Sequence, residues 1–130
     1  MKKFKFMLIP VLCAIMAIVI FRTVFIIGYV PSESMEPTLK KDSLILGIRF
    51  YGELSDGNII IFRRDEKLLV KRIAASEGET IIHNGAVIVV PKNCFYVLGD
   101  NSDNSFDSRY WEYPYVKRKD ILAEVVFIQK

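Results

Sequence analysis

The sequence has few of the residues on which metal and thiol chemistry usually depend. It contains one histidine and two cysteines among its 130 residues. Cys13 lies within an apolar segment and Cys94 lies far along the chain among strand-forming residues, so no disulfide between them is expected. We expect both to be free thiols that act as small buried apolar groups. The pattern predicts no metal site and no cofactor.

Acidic residues are absent from the first 30 positions, although the whole chain carries a net charge of +3. Four basic residues lie in that stretch, which leaves 14 basic and 15 acidic residues in the remainder; the four are Lys2, Lys3, Lys5 and Arg22. The basic character therefore belongs to the N-terminal segment. Nothing beyond it forms the basic stripe that a phosphate backbone requires, so we expect no nucleic-acid partner. The cluster Lys117–Lys119 is interpreted as a solvated loop.

Charges are also missing from Phe6 to Phe21, and this run would rise about 24 Å as a helix, against a hydrocarbon core of roughly 30 Å. The apolar pattern resumes after Arg22 and continues to Val30. We therefore expect the helix to continue to Val30 while Arg22 reaches the lipid headgroups. A cleavable secretory peptide begins in the same way, but Ile26–Val30 offers no small-x-small cleavage pattern.

These features predict a single-pass protein of the cell membrane. Residues 6–30 are expected to be a transmembrane anchor in contact with the lipid bilayer. Residues 1–5 are expected to be a cytoplasmic N-terminus, because three lysines precede the span and one arginine follows it. Residues 31–130 are then an extracytoplasmic domain with room for one hydrophobic core.

Beyond Pro31 the pattern changes to short runs of β-forming residues separated by Gly, Asp and Asn, which predicts an all-β domain. The clearest element is a hairpin at Asn84-Gly85, because Asn-Gly between β-formers is a strong signal for a two-residue turn. The predicted strands are Ser43–Ile48, Asn58–Phe62, Leu68–Ala75, Thr80–His83, Ala86–Val90, Phe95–Leu98 and Ile121–Ile128. The acidic, serine-rich run Gly99–Arg109 is the one long polar loop, and such a loop in a small domain often carries site residues.

Two serines, Ser32 and Ser34, lie between Pro31 and Pro37 directly after the apolar segment. The prolines restrict the backbone, and a restricted backbone fixes the direction of a side chain. A serine hydroxyl is nevertheless inert as a nucleophile without an activating base. The single histidine, His83, directly precedes the hairpin turn, where we expect a solvent-exposed strand end rather than a held imidazole.

Lys71 is the other candidate for the base. Alternation along its predicted strand places it on one face with Leu69 and Ile73. Burial against an apolar face disfavours the ammonium form and can lower the pKa of a lysine by several units, which would leave enough neutral amine for a general base. The same pattern is also typical of a lysine at a sheet edge that extends to solvent. Spacing alone leaves both interpretations open.

Four segments resemble, in order, the motif boxes of bacterial type I signal peptidases. They are Pro31–Leu39, Asp56–Phe62, Val70–Ile73 and Gly99–Trp111. Together with the anchor they cover nearly the whole chain, and the last block is long and unusual in composition. The resemblance implies a mostly antiparallel β-fold preceded by one transmembrane helix. It also implies an enzyme that removes signal peptides from secreted preproteins after small-x-small sites.

The resemblance also implies a role for individual residues. Ser34 would be the nucleophile and Lys71 its general base, while Ser105 would orient the lysine amine. The Ser34 backbone N–H and the Ser32 hydroxyl would bind the oxyanion. The residues expected to support the site without reacting are Asp107 with Arg109 and Asp100 with Arg72.

The chain departs from the family pattern in a few places. Ala75-Ser76-Glu77-Gly78-Glu79 stands where the family usually has Gly-x-Pro-Gly-Asp, and Asn58 replaces a common Asp; we expect both to alter turns and not chemistry. The long inserted β-domain of larger members is missing, so the chain resembles the compact single-anchor forms. Three alternatives remain: a catalytically silent or specialised relative, a membrane-tethered binding module that uses exposed strand edges, and a mitochondrial inner-membrane processing peptidase.

Overall fold

The structure is a computed structural model that describes the backbone of residues 2–129 and the side chains of residues 6–129. It begins with one α-helix, α1 (Lys2–Val24). The stretch Phe6–Val24 has a mean hydropathy of 2.5 and is long and apolar enough to cross a membrane, and none of it is buried within the protein. Side chains of the predicted cytoplasmic segment, residues 1–5, lie outside the described part of the chain.

The helix ends six residues earlier than expected, because Phe25–Tyr29 forms a strand, β1. The predicted continuation of the helix to Val30 is therefore wrong. An apolar run does not by itself distinguish helix from strand, and Phe25, Ile26 and Ile27 are residues that favour strands. Gly28 then allows close packing, since a Cβ at this position would lie 3.0 Å from Ile45 Cγ1 of the neighbouring strand.

The rest of the chain folds into an antiparallel sheet of seven strands and a separate hairpin, which confirms the predicted all-β class. The sheet order is β1-β2-β9-β3-β4-β7-β8, and the hairpin pairs β5 with β6. The remaining strands are β2 (Leu44–Ile48), β3 (Ile59–Arg64), β4 (Lys67–Ala75), β5 (Thr80–His83), β6 (Ala86–Val89), β7 (Cys94–Leu98), β8 (Tyr115–Lys117) and β9 (Ile121–Ile128). All seven predicted strands are present, with small differences at their ends.

Besides β1, a second strand, β8, was not predicted. Lys117 lies at the end of β8, and Arg118–Asp120 forms a short 3₁₀ helix, so the cluster interpreted as a loop is largely regular structure. A strand of three residues is too short to produce a periodic pattern. The Asn84-Gly85 turn is confirmed, and both residues have positive φ, 50° and 79° respectively.

The hydrophobic core lies on both faces of β3. Ile60 and Phe62 point to one face, where they pack with the buried residues Ile73, Val97 and Trp111. Ile59 and Ile61 point to the other face, which is covered by the segment after β1 through Val30, Met35 and Leu39. Burial on both faces explains why β3 is a continuous apolar run and not an alternating one. The two cysteines are free; Cys94 is buried as expected, whereas Cys13 is exposed on the helix surface.

Candidate active site

Ser34 and Lys71 meet at the edge of the sheet, where Lys71 Nζ donates a hydrogen bond of 2.6 Å to Ser34 Oγ. Both side chains are buried, with 8% and 4% of their surface exposed. Ser34 is held by the turn after β1, in which Met35 and Leu39 are inserted into the core. Lys71 lies on β4 opposite Ile60, on the face predicted from alternation. The alternative of a lysine that extends to solvent is therefore wrong.

Burial of Lys71 lowers the pKa of its amine below the ordinary value. Asp107 and Asp100 oppose this shift because a nearby negative charge stabilises the ammonium form, whereas the positive charge of Arg109 adds to it. The net direction is downward. A larger fraction of Lys71 is thus neutral near pH 7 than for a lysine in water, as general-base chemistry requires.

A buried network beside the pair is centred on the carboxylate of Asp107, which has no exposed surface. Arg109 donates to it from Nε and Nη2, at 2.9 Å each, and the Gly99 backbone N–H donates at 2.9 Å. Ser105 Oγ donates to Asp107 Oδ2 at 2.7 Å. Although burial raises the pKa of Asp107, these donors outweigh it and the net shift is downward. No hydrogen bond joins Ser105 to Lys71 within residues 6–129, so the orienting role of Ser105 stays a prediction.

A second ion pair joins the start of the same loop to β4. Arg72 donates from Nε and Nη2 to the two carboxylate oxygens of Asp100, at 2.8 and 2.6 Å. Its Nη1 also donates to Gly57 O at 2.7 Å. Burial opposes ionisation of Asp100, but the hydrogen bonds lower its pKa overall. The two-point geometry fixes the loop to the strand that carries Lys71.

Gly99 is a site residue to which the sequence assigned no role. A Cβ on Gly99 would lie 2.1 Å from Ser105 Oγ and 2.5 Å from Ser34 O, so no other residue fits without a shift of both serines. The Ser34 carbonyl also accepts a hydrogen bond of 3.0 Å from the Asn101 backbone N–H. Both residues belong to the Gly99–Trp111 block, but neither has a reactive side chain that would have singled it out.

The predicted oxyanion residue Ser32 is exposed, and its Oγ lies 3.2 Å from Ser34 Oγ. The Ser34 backbone N–H donates no hydrogen bond to any other described residue, which leaves it available to a ligand. His83 lies elsewhere, half-buried on the hairpin, with Nδ1 3.2 Å from the hydroxyl of Tyr96. The expected solvent-exposed position of His83 is therefore wrong, because the ring packs edge-on against Tyr96.

Two cavities meet at the serine–lysine pair. The first, which we call the apolar groove, has a volume of about 580 Å³ and is lined largely by aliphatic residues of β1, of the segment directly after it and of β4, among them Ile26, Val30 and Leu68. The second has a volume of about 360 Å³ and is lined by Phe106 and Trp111. Both include Ser34 and Lys71, so a ligand in either cavity reaches the pair. Among the described residues, no group of three or more His, Cys, Asp or Glu side chains could hold a metal ion.

Known proteins resemble the chain over nearly its full length. The sequence matches the family described as "Signal peptidase, peptidase S26" over residues 3–90 and 83–129. Signal peptidase I of Leptolyngbya laminosa is 33% identical over 134 residues, which cover 75% of this chain and 65% of that protein. The chain thus spans slightly less than two thirds of that relative. Inactive signal peptidase IA of Staphylococcus aureus (strain COL) is 26% identical over 160 residues, which cover 96% of this chain and 91% of the relative.

Proposed function

Since this chain belongs to the signal peptidase family, peptidase S26, we propose that it is a membrane-bound serine endopeptidase in which Ser34 and Lys71 form the catalytic dyad. Family membership supports a peptidase that removes signal peptides. The observation that carries the assignment of the dyad is the buried contact of 2.6 Å between Lys71 Nζ and Ser34 Oγ. A nucleophile and a base within hydrogen-bonding distance, with the base desolvated, is what activation of a serine requires.

In the proposed mechanism, neutral Lys71 accepts the proton of the Ser34 hydroxyl while Ser34 Oγ attacks the scissile carbonyl carbon. The oxyanion that forms accepts hydrogen bonds from the Ser34 backbone N–H and the Ser32 hydroxyl; loss of one such donor typically costs about 10² to 10³ in rate. The Lys71 ammonium then donates its proton to the leaving amine, and the C–N bond breaks. The signal peptide remains bound to Ser34 as an ester.

The ester is hydrolysed by the same groups in reverse order. Lys71, neutral again, accepts a proton from a water molecule, whose oxygen attacks the ester carbonyl. Collapse of the second tetrahedral intermediate breaks the bond to Ser34 Oγ, which takes back the proton from Lys71. The signal peptide leaves with a new carboxylate, and the dyad returns to its starting state.

An open strand edge beside the dyad supports recognition of an extended peptide. The ladder between β4 and β7 begins at Arg72, so in the described part of the chain residues 67–71 have no strand partner on that side. A substrate strand could pair with this edge and place alternate side chains in the apolar groove. Small residues at the first and third positions before the cut would fit a shallow groove, whereas larger side chains would overlap its walls.

The position of the site relative to the helix supports a location at the membrane surface. We propose that Phe6–Val24 spans the bilayer, that the N-terminus is cytoplasmic and that the domain from β1 onward is extracytoplasmic. Because β1 begins at the residue after α1 and lines the apolar groove, the dyad would lie close to the lipid headgroups. Its substrates, the signal peptides of preproteins, would reach it from the same bilayer.

A catalytically inactive relative is the second candidate, and the observation that favours it is the name of the Staphylococcus aureus relatives, inactive signal peptidase IA. The preserved geometry of Ser34 and Lys71 argues for activity. The two candidates differ in one measurable property, which is cleavage of a preprotein by the purified protein.

The deciding experiment incubates the detergent-solubilised protein with preproteins that contain a small-x-small site and sequences the N-termini of the products. We expect one cut after that site, and a loss of about 10³-fold or more in Ser34→Ala and in Lys71→Met, with the double variant no worse. His83→Ala is the control and should keep its activity. Absence of cleavage by the wild type would favour the inactive relative, and activity in Ser34→Ala with loss in His83→Ala would exclude the dyad.

A further inference from the structure

We propose that the cavity lined by Phe106 and Trp111 binds the first residues of the mature chain, downstream of the cut, and favours substrates with a large apolar side chain there. This inference rests on the proposed function, because it assigns a substrate preference to the same site. It concerns the side of the dyad away from the apolar groove. The preference would come from Phe106 and Trp111, which take no part in bond cleavage.

The cavity extends well beyond the dyad. It shares Arg64, Asp65, Phe106 and Trp111 with a further cavity of about 590 Å³ that reaches Tyr110. We call the two together the aromatic groove. Its near end includes Ser34 and Lys71, and its far end is lined by Tyr110, Glu112 and Tyr113, so it can hold several residues of an extended chain.

The direction of a bound peptide follows from the position of the apolar groove. That groove is lined by Ile26, Ile27 and Val30, which come directly after the helix that ends at Val24. The apolar part of a signal peptide lies in the bilayer, so the upstream residues of a substrate enter from this side. Because the two grooves meet at Ser34, the downstream residues continue into the aromatic groove.

The walls of the aromatic groove differ in exposure. Phe106 has 68% of its surface exposed and stacks on Tyr110, which is also exposed, with ring centroids 6.0 Å apart. Its chain neighbours Ser105 and Asp107 are buried in the network beside Lys71, which fixes the backbone of Phe106 at the rim. Burial of this ring by a substrate side chain would remove apolar surface from water, which is favourable.

Trp111 forms the fixed wall. The residue is 5% exposed, and its ring lies edge-on against Phe62, with centroids 6.2 Å apart. The Arg64 guanidinium lies 4.0 Å from the ring centroid. Arg64 also donates from Nη2 to Tyr113 O at 3.0 Å, so much of its hydrogen-bonding capacity is used within the protein. Asp65, Lys67 and Glu112 also line the aromatic groove, so the apolar contact that Phe106 and Trp111 offer acts beside charges of both signs.

The chain contains one tryptophan, so the fluorescence of Trp111 reports occupancy of this groove without any need for cleavage. The test uses the full-length Ser34→Ala variant in detergent and peptides that span a small-x-small site. One series carries the quencher p-nitrophenylalanine at each of the first three positions after the cut, and a matched series carries it at the positions before the cut. We expect stronger quenching from the downstream series.

A second series compares Phe with Ala at the downstream position that quenches most. The Phe peptide should bind about three- to tenfold more tightly, and Phe106→Ala should remove most of this difference while Phe106→Leu keeps part of it. Val87→Ala, which shortens an equally exposed apolar residue on the β5–β6 hairpin, is the matched control and should leave the ratio unchanged.

Equal quenching from both series, no quenching from the downstream series, or a Phe to Ala ratio that survives in Phe106→Ala would each overturn the inference. Failure of the proposed function looks different. In that case wild-type protein cleaves no preprotein, whatever the fluorescence titrations give. Normal cleavage together with equal quenching would leave the enzyme assignment in place and exclude only the downstream preference.

Discussion

Two arginine–aspartate pairs lie on either side of Lys71, and they differ in burial and in the number of groups that each carboxylate holds. Asp107 has no exposed surface and accepts hydrogen bonds from Ser105, Gly99 and Arg109. Asp100 is 16% exposed and pairs chiefly with Arg72, which also binds a neighbouring turn. The Asp107–Arg109 pair holds the buried network beside Lys71, whereas the Asp100–Arg72 pair attaches the loop to the sheet.

The difference matters for Lys71 as the proposed base. A buried carboxylate next to a lysine would normally keep the amine charged, which would prevent general-base catalysis. Arg109 counters this effect by adding a positive charge near Lys71, and its charge lowers the pKa of the amine. Arg72 has no comparable direct influence on Lys71. The two pairs should therefore respond differently when either partner is removed.

Asp107→Asn should have the largest effect. The amide cannot accept from Arg109, Ser105 and Gly99 as the carboxylate does, so we expect a loss of about 2 to 4 kcal/mol in the free energy of unfolding. Because the pKa of Asp107 is lowered in the folded state, its stabilisation is present above the unfolded value of 3.8 and lost as the pH falls through the lower folded value. Denaturation followed by Trp111 fluorescence at several pH values measures both effects.

The matched comparison is Asp100→Asn. It should lower the free energy of unfolding clearly less than Asp107→Asn does, because Asp100 is partly exposed and accepts from fewer donors. Equal losses of unfolding free energy in the two variants would contradict the different roles given to the two ion pairs. So would an acid-dependent loss of stability below pH 4 that remains undiminished in Asp107→Asn.

Ser105→Ala should come next, with a strong fall in kcat and a smaller change in KM. The variant removes a hydroxyl that binds Asp107, whose charge acts on the Lys71 amine, so we expect it to disturb the amine and not a wall of either groove. Steady-state kinetics on one peptide give both constants. Ser102→Ala, at an exposed position of the same loop, is the control. A rise in KM with kcat unchanged would place Ser105 in substrate binding.

Arg109→Met should have a smaller effect that depends on pH. Loss of its positive charge leaves Asp107 uncompensated and raises the pKa of Lys71, so less neutral amine is present and the acidic limb of kcat/KM moves to higher pH. Activity should fall most near pH 7 and recover partly in alkaline buffer. Arg72→Met is the comparison and should shift the limb less. A larger shift of the acidic limb in Arg72→Met than in Arg109→Met would contradict the conclusion that Arg109 is the arginine that lowers the pKa of Lys71.

The candidate site could be predicted from the sequence mainly because four segments resemble the motif boxes of a known family. That resemblance singled out Ser34, Lys71 and the polar block Gly99–Trp111, whereas spacing alone left the role of Lys71 open. The contact of 2.6 Å between Ser34 and Lys71 could not be predicted, since it depends on how the turn after β1 approaches β4. The close approach of Gly99 to Ser34 and Ser105 could not be predicted either, because a glycine has no side chain whose chemistry would indicate a role.

The fold was predictable where local signals were strong. The Asn84-Gly85 hairpin and the alternation in β4 both gave clear patterns. The prediction of helix for Phe25–Tyr29 was wrong because an apolar run is compatible with either a helix or a strand. Pairing with β2 decides between them. β8 was not predicted because its position in the sheet depends on pairing with β7 and not on a pattern in its own short sequence.

The central claim is that neutral Lys71 is the base, and the pH dependence of kcat/KM for the wild type and His83→Ala tests it most directly. We predict an acidic limb whose midpoint lies below the value of about 10.4 for a solvated lysine, with the same midpoint in both proteins. Circular dichroism should show that both are folded. A limb centred near the ordinary histidine pKa of about 6.5 that disappears in His83→Ala would contradict the lysine mechanism.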